Sequence, residues 1–339
     1  MGSRSYTLRK VLHAFITLFF VLIFNFFLFR VLPSDPVKFL TRGAGLEISP
    51  EEQQELLRDF GLDKPVWPIS LTPPSFTADN QLFDYLGDTA RLDFGTSITV
   101  NSGESVLGLF LEFMWPTLLL VGVSTVFSVL LGVWMGIRAG WRRGGVFDRA
   151  SMGASLILYS MPEFWLGMLL IILFSANLGW FPNSGRETLG ANYTGFAAVA
   201  DSLNHLFLPA LTLTLGYLGE YYLVMRGSLL DVLGEDFILT ARAKGVRERM
   251  VLNRHAVRNA LLPTISLIAL SFGFVLGGAI TVEVVFSYKG LGGLTYAALQ
   301  SQDFPVLQAV FLFASAAVIL MNLLADLVYG YFDPRVKEA

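Results

Sequence analysis

The stretch LHAFITLFFVLIFNFFLF, residues 12–29, contains no Asp, Glu, Lys or Arg, and seven of its residues are Phe. About 20 apolar residues in a helix span the hydrocarbon core of a bilayer. The stretch is longer than the apolar region of a secretory signal peptide, and no small-x-small cleavage site follows it. It therefore predicts an uncleaved membrane-spanning helix, which sets the class of the whole chain.

Five further stretches are long and apolar and carry at most one charged residue each. They are residues 113–136, 151–181, 203–219, 260–282 and 305–325. Together with the first stretch they predict an all-α membrane protein with six transmembrane helices. The composition agrees, because 54% of the residues are hydrophobic and 15% are charged, whereas soluble domains average about 25% charged residues.

Charge and residue content exclude several classes of function. The net charge of −3 lacks the basic excess of nucleic-acid-binding proteins, so we expect membrane lipid and no nucleic acid around the chain. No Cys and three widely separated His residues are present, which argues against disulfides, thiolate catalysis and a metal site. The sequence also lacks the GxxxxGK[ST] phosphate-binding loop, so the chain cannot hydrolyse ATP by that route, and we do not expect it to be an enzyme.

The basic residues predict the orientation of the six spans. Cytoplasmic segments are enriched in Lys and Arg, and with both termini inside, the inner segments hold 16 of the 24 basic residues. This favours an N-in, C-in topology. Its parts are a cytoplasmic tail and first span (1–32), an extracytoplasmic segment (33–112), a core of five spans (113–331) and a cytoplasmic tail (332–339).

The extracytoplasmic segment is predicted to contain one helix and one loop. Ser49, Pro50 and Glu52 have the spacing of a capping box with Pro at the first helical position, and Gly61 ends that helix. Residues 68–79, PISLTPPSFTAD, are rich in Pro, Ser and Thr and predict a loop. The segment is too short for a separate catalytic domain, so we expect it to pack as a cap on the helices.

Three glycines of the second span, Gly132, Gly136 and Gly140, lie four residues apart. Small residues at this spacing allow two membrane helices to approach each other closely. We therefore expect tight helix packing at these positions, within the chain or with a partner, in preference to a conformational hinge.

The segment between the fourth and fifth spans, residues 226–260, is a basic cytoplasmic loop without a flexible Gly-, Ser- or Pro-rich run. Its apolar residues approximate helical spacing, and they are Phe237, Ile238, Ala241, Met250, Val251 and Val257. We predict a helix–turn–helix with Gly245 at the turn. On these grounds the loop is either a protein-docking surface or simply a basic, helical loop.

Eight motifs, in order along nearly the whole chain, resemble the peptide/nickel permease family of ABC importers. They are LPSDPV (32–37), GLDKP (61–65), LDFGTS (92–97), PEFWLG (162–167), LGWFPNSG (178–185), HLFLPALTL (205–213), TARAKG (240–245) with RHAVRNALLP (254–263), and VEVVFSYKGLG (282–292). Each motif alone is weak evidence, and the occurrence of all eight in the order expected for the family makes the resemblance specific.

The resemblance implies a type I-like ABC importer permease in the inner membrane of a prokaryote. Its implied partners are a second homologous permease, two ATPase subunits or one two-domain ATPase, and an extracytoplasmic substrate-binding protein. ATP and Mg²⁺ would bind to the ATPases, and no cofactor is expected in this chain. The family imports dipeptides, oligopeptides, nickel complexes and some oligosaccharides. We expect di- or oligopeptides, because dispersed His residues do not favour nickel ligation.

The resemblance also implies which residues couple the permease to ATP hydrolysis. The ATPases would dock on the loop after the fourth span, through Glu235, Asp236, Thr240, Ala241, Arg242, Ala243 and Gly245.

The substrate pathway is predicted from ionisable residues inside the spans, which usually serve transport. Glu163 follows Pro162 within the third span, where it either meets a cationic or peptide amine group or pairs with an Arg of the other permease. Glu283 is a second candidate, although solvation or an ion pair near the span end also explains it. His205 is expected to order the entrance of the fourth span.

Two other classes of membrane protein compete with the importer. An ion-coupled secondary transporter, working without ATPase partners, would require several mid-membrane charges and inverted repeats, and the chain shows essentially one such acid and no internal repeat. An intramembrane enzyme would require a Ser/His, paired-Asp or metal constellation, which the three scattered His residues do not supply.

Overall fold

The structure, a computed structural model, describes residues 3–31, 63–71, 74–274 and 279–332. Within these ranges it is helical apart from one hairpin and the connecting turns. The elements are α1 (Ser3–Phe26), β1 (Ile69–Leu71), β2 (Pro74–Phe76), α2 (Gln81–Ala90), α3 (Val106–Trp141), α4 (Val146–Ser160), α5 (Glu163–Leu170), α6 (Phe196–Leu233), α7 (Asp236–Ala243), α8 (Glu248–Met250), α9 (Val257–Phe274), α10 (Ile280–Val285), α11 (Leu291–Ser301) and α12 (Phe304–Phe332). Turns of π-helix follow α1, α5 and α8, at Phe27–Val31, Ile171–Asn177 and Val251–Ala256.

Four helical segments among the described residues are long and apolar enough to cross a membrane, so the chain is a multi-pass membrane protein. They are Thr7–Val31, Val106–Trp141, Phe196–Leu233 and Phe304–Leu324, and they coincide with the first, second, fourth and sixth predicted spans. The fifth predicted span includes residues 275–278, which lie outside the described ranges. The count of six spans therefore stays a prediction.

The third predicted span is not one straight helix. It consists of α4 and of α5 with its π-helical turn, two arms bent by 105°. Met161, between them, has an extended ψ of 128°, because a residue before proline is disfavoured in the helical region. Glu163 thus lies in the first turn of the second arm. If the two arms are counted as one span, the described residues contain five.

The chain divides into two compact units. One holds the residues up to Trp115 together with Leu294–Ile319, and the other holds Pro116–Gly293 together with the residues from Leu320.

In the first unit, α2 packs on α1 through Phe26, Leu82 and Tyr85, which are all buried. Asn80 caps α2, since its side-chain oxygen accepts a hydrogen bond of 3.0 Å from the Phe83 amide. Lys64 lies 2.6 Å from Asp79 and 2.8 Å from Asp84, and these hydrogen bonds raise the pKa of Lys64 above its usual value. The packing of α2 on a long apolar helix fits the predicted cap.

The predicted loop at residues 68–79 is wrong in part, because β1 and β2 pair as an antiparallel hairpin with Ile69 opposite Phe76. Proline and the residue before it favour extended backbone, so a Pro-rich stretch can form short paired strands. The capping box at 49–52 and the helix predicted after it lie outside the described residues.

The LDFGTS segment of the first unit wraps around a buried carboxylate. Asp303 is fully buried, and its Oδ2 accepts hydrogen bonds from the Ser97 hydroxyl at 2.6 Å and from the amides of Ile98, Thr99 and Val100 at 3.0, 2.9 and 3.1 Å. Several amide donors compensate a buried carboxylate for its lost hydration. Asp303 therefore fixes this segment to the turn before α12.

The second unit is built on a close contact between α3 and α6. A Cβ at Gly132 would lie 2.7 Å from the Tyr221 Cβ, and one at Gly136 would lie 2.9 Å from the Met225 Cβ. The next glycine of the series, Gly140, faces Leu229 in the same way. The predicted tight packing is confirmed, and it occurs within the chain.

A buried ion pair joins α4 to α6 in the same unit. The Arg226 guanidinium donates to both carboxylate oxygens of Asp148, at 2.6 and 3.0 Å, and the Gly144 amide donates to the second of them at 2.8 Å. Sequence reasoning missed this pair, because the two residues lie 78 positions apart.

Replacing Gly132 by Ala should destabilise the protein by about 1–3 kcal/mol, because the added methyl group overlaps α6 in a packed interface. The matched control is Gly122→Ala in the same helix, where a Cβ would meet nothing within 4 Å. Alanine favours a helix interior over glycine by about 1 kcal/mol, so the control should be neutral or stabilising. Thermal unfolding in detergent measures both variants, and equal shifts would contradict the close contact.

Candidate functional site

The segment between α6 and α9 forms a helix–turn–helix, as predicted. The helix α7 begins after Glu235, whose backbone is extended, and α7 ends before a turn in which Gly245 has a φ of +72°. Glycine populates this left-handed region without the steric cost of a Cβ. The chain then continues through α8 and its π-helical turn into α9.

An apolar cluster holds this segment against the end of α6. Ile238 and Ala241 of α7 and Val251 of the π-helical turn are buried against Met225 and Leu229 of α6. Burying a Val or Ile side chain stabilises a folded structure by about 1.5–3 kcal/mol. The segment is therefore a packed element and not a flexible linker.

The opposite face of this segment is exposed and mixes apolar with charged side chains. Phe237 and Leu239 of α7 are 41% and 68% exposed. Arg242 donates to both oxygens of Glu248, at 3.1 and 3.3 Å, and its guanidinium lies 5.8 Å from the centre of the Trp141 ring. A partner protein could bury these apolar side chains.

The residues predicted to couple this chain to ATPases fall into two groups. Ala241 faces the chain's own core, so in this structure it supports α7 and does not face outward. The other six are exposed, and they are Glu235, Asp236, Thr240, Arg242, Ala243 and Gly245.

Glu163, the main pathway candidate, is half-buried at the start of α5. Its Oε2 accepts a hydrogen bond of 3.4 Å from the Thr281 hydroxyl of α10. A Cβ at Gly216 of α6 would lie 3.5 Å from the Glu163 Cγ, an ordinary contact distance, so Glu163 lies beside α6 at this residue. In the described structure the side chain has no cationic partner, which leaves it available to a cationic group.

Glu283, the second pathway candidate, is fully buried. Its carboxylate accepts hydrogen bonds from the Thr117 hydroxyl at 2.8 Å and from the amides of Gly293 and Ala279 at 2.9 and 3.4 Å. A Cβ at Gly290 would lie 2.6 Å from its Oε2. Through these hydrogen bonds Glu283 holds the turn between α10 and α11. Its role in the substrate pathway stays a prediction.

His205 lies where α6 meets the preceding loop. Its Nδ1 is 3.1 Å from the Ser184 carbonyl oxygen and its Nε2 is 3.8 Å from the Asp201 carboxylate. Asp201 in turn accepts hydrogen bonds from the amide and hydroxyl of Thr188, at 2.8 and 2.6 Å. These contacts agree with the prediction that His205 orders the entrance of this helix.

Within the ranges that the structure describes, no three His, Cys, Asp or Glu side chains are grouped so that they could hold a metal ion.

Replacing Glu283 by Gln should lower the stability of the protein by about 1–3 kcal/mol, because the new amide group faces hydrogen-bond donors. Thermal unfolding of the purified protein measures this loss. The control is Glu220→Gln. Glu220 is half-buried and has no hydrogen-bond partner among the described residues, so this change should shift the midpoint of thermal unfolding little. Equal midpoints for the two variants would show that the hydrogen bonds to Glu283 do not stabilise the fold.

Two family models match the sequence. The model described as "Binding-protein-dependent transport system inner membrane component" matches residues 128–338. The model of the N-terminal part of such membrane components matches residues 4–71.

Curated proteins of similar length are also similar in sequence. The oligopeptide transport system permease protein AppB of Bacillus subtilis is 34% identical, covering 98% of this chain and 99% of that protein. The di/tripeptide transport system permease protein DppB of Pseudomonas aeruginosa is 36% identical, covering 95% of each. The glutathione transport system permease protein GsiC of Escherichia coli is 35% identical, covering 98% of this chain and 99% of that protein.

The fold is similar to that of a solved transporter. A chain of the MetNI methionine ABC transporter, in an inward-facing conformation, matches with a TM-score of 0.50 and 18% identity, covering 67% of this chain and 97% of that one. At this identity the likeness concerns the fold alone. The family models and the curated relatives go further, and they show that this chain belongs to the family of binding-protein-dependent transport system inner-membrane components, among the dipeptide and oligopeptide permeases of ABC transporters.

Proposed function

We propose that this chain is the transmembrane permease subunit of an ATP-driven ABC importer for di- or oligopeptides. The observation that carries the proposal is the similarity, over at least 94% of the chain, to curated permeases named for the transport of dipeptides or oligopeptides. The assembly would contain a second homologous permease, two ATPase subunits or one two-domain ATPase, and an extracytoplasmic binding protein that delivers the peptide. ATP and Mg²⁺ would bind to the ATPases.

The topology proposed for this subunit has six spans with both termini in the cytoplasm of a prokaryotic cell, in its inner membrane. The four or five apolar helices of the described residues support a multi-pass arrangement, and the distribution of Lys and Arg supports the orientation. In this topology the helix–turn–helix at residues 234–256 faces the cytoplasm, where ATPase subunits are found.

The exposed face of α7 is the proposed link to ATP hydrolysis. A short helix with exposed apolar side chains, such as Phe237, can lie in a groove of a partner protein. The buried side of the same helix is packed on α6, so a displacement of α7 would be transmitted to α6 as a rigid-body motion. Alternating access would follow from such rocking of the helices.

Glu163 is proposed to line the peptide pathway. Its carboxylate is half-buried, and the described residues place no cation beside it. The α-ammonium group of a peptide is a cation of suitable size, and a carboxylate is the ordinary partner for such a group.

The ion-coupled secondary transporter is not favoured. The curated relatives are named as permease proteins of transport systems, and a secondary transporter would carry out transport alone in liposomes without ATP.

Replacing exposed Phe237 by Asp should reduce the amount of ATPase that copurifies with this subunit by about tenfold or more, because aromatic anchors at interfaces often contribute 2 kcal/mol or more to binding. Affinity purification in mild detergent with quantitative mass spectrometry measures the ratio of ATPase to this subunit. The second permease should still copurify.

The matched control is Phe76→Asp, which makes the same change at a side chain that is 69% exposed in the β2 strand. This control should keep the wild-type ATPase ratio. Retention of the ATPases by the Phe237 variant would refute the assigned docking face, and a wild-type chain that purifies without any ATPase would refute the importer assignment.

Replacing Glu163 by Gln should lower the initial rate of ATP-dependent dipeptide uptake by about tenfold, since a hydrogen bond to a charged group contributes about 1.5–3 kcal/mol and a neutral one less. Uptake by proteoliposomes that contain the whole complex measures the rate. Glu112→Gln, at an exposed residue of α3, is the control. Unchanged uptake with unchanged substrate preference in the Glu163 variant would exclude a pathway role.

A further inference from the structure

A basic surface cavity, open to solvent, lies on the second half of the helix–turn–helix. It has a volume of about 390 Å³ and is lined by Arg247, Arg249, Met250, Asn253 and Arg254. All five side chains are exposed, and no carboxylate is among them. Three guanidinium groups make this part of the surface positive, and such a surface attracts anions.

The chain itself does not neutralise this cavity. Glu248, the acidic residue nearest in sequence to Arg247 and Arg249, forms its ion pair with Arg242 on α7. Among the ion pairs of the described residues, none includes Arg247, Arg249 or Arg254. The positive charge of the cavity is therefore left for a ligand.

Two of these arginines lie on either side of the start of the π-helical turn Val251–Ala256. Arg249 lies in α8 just before the turn, Arg254 lies within it, and both line the cavity. Short π-helical turns are frequent at functional sites.

We propose that this cavity is a binding site for a phosphate group, and that the phosphate belongs to the headgroup of an anionic lipid of the cytoplasmic leaflet. Arginine guanidinium groups bind phosphate oxygens through paired hydrogen bonds, and the Asn253 amide adds further donors. Met250, 45% exposed, gives the cavity an apolar part that free phosphate would not contact and a lipid would.

The position of the cavity favours a lipid as the source of the phosphate. The helical run that carries it continues directly into α9, an 18-residue apolar helix at the start of the fifth predicted span. Basic residues at the cytoplasmic end of a membrane helix attract anionic lipids, and each Lys or Arg increases the binding affinity about fivefold. This location rests on the orientation given under the proposed function.

The test uses the purified transporter complex and the triple variant Arg247→Gln, Arg249→Gln, Arg254→Gln. The matched control is Arg142→Gln, Arg143→Gln, Arg149→Gln, which removes two exposed arginines of the loop between α3 and α4 and one of the first turn of α4. Native mass spectrometry measures how much phosphatidylglycerol and phosphatidylcholine each protein retains from mixed detergent micelles. Inorganic phosphate, against chloride at equal ionic strength, is the competing probe.

We expect the wild type and the control to retain phosphatidylglycerol over phosphatidylcholine, and the cavity variant to lose this preference by about tenfold or more. A second outcome is that phosphate raises the unfolding temperature of the wild type and the control but not of the cavity variant, while no protein retains lipid selectively. This outcome would keep the phosphate site and refute the lipid as its source. Equal losses in both variants, or no loss in either, would overturn the site.

A partner protein is the remaining occupant. If the cavity variant keeps its lipid preference and instead loses the copurifying ATPases, the three arginines contact the ATPase and the lipid site is wrong. Copurification of ATPase with the wild type is scored separately, so failure of the importer assignment is not confused with failure of the phosphate site.

Discussion

The close approach of α3 and α6 is the interaction on which the second unit depends. Water is absent from the core of a bilayer, so the hydrophobic effect does not drive two helices together there, and packing and hydrogen bonds between them must do so. The glycines from Gly132 to Gly140 allow near backbone contact. Above them in the same helix, the Ser124 and Ser128 hydroxyls donate to carbonyl oxygens of Ala210 and Thr214, at 3.2 and 3.0 Å.

With α3 packed against it, α6 supports every feature of this unit to which transport has been assigned. Its N-terminal part carries the His205 network, its middle lies beside Glu163 at Gly216, and its last turns form the core under α7 through Met225 and Leu229. The 38-residue helix therefore connects the proposed ATPase contact to the proposed peptide pathway within one rigid element. This continuity gives a physical basis for coupling without a separate relay.

The acidic residues of the chain differ in how their charges are compensated. Asp303 and Glu283 each accept several hydrogen bonds while fully buried, and Asp148 pairs with Arg226. A buried charge is tolerated only with such compensation, since transfer out of water costs several kcal/mol. Glu163 accepts one long hydrogen bond from Thr281. Glu163 therefore differs from these three carboxylates in how little its charge is compensated within the described structure.

The sequence alone determined the membrane class, the family and the helix–turn–helix, because apolar length, motif order and the Gly245 turn are local properties of the chain. Tertiary structure decided the rest. The pairing of β1 with β2 was not predicted, because prolines permit both a loop and extended strands. Ala241 faces inward because α7 packs on α6. The sequence placed Glu283 near the end of a span and Glu163 within one. Only the tertiary structure shows that hydrogen-bond donors surround Glu283, because Thr117 lies 166 positions away from it in the chain.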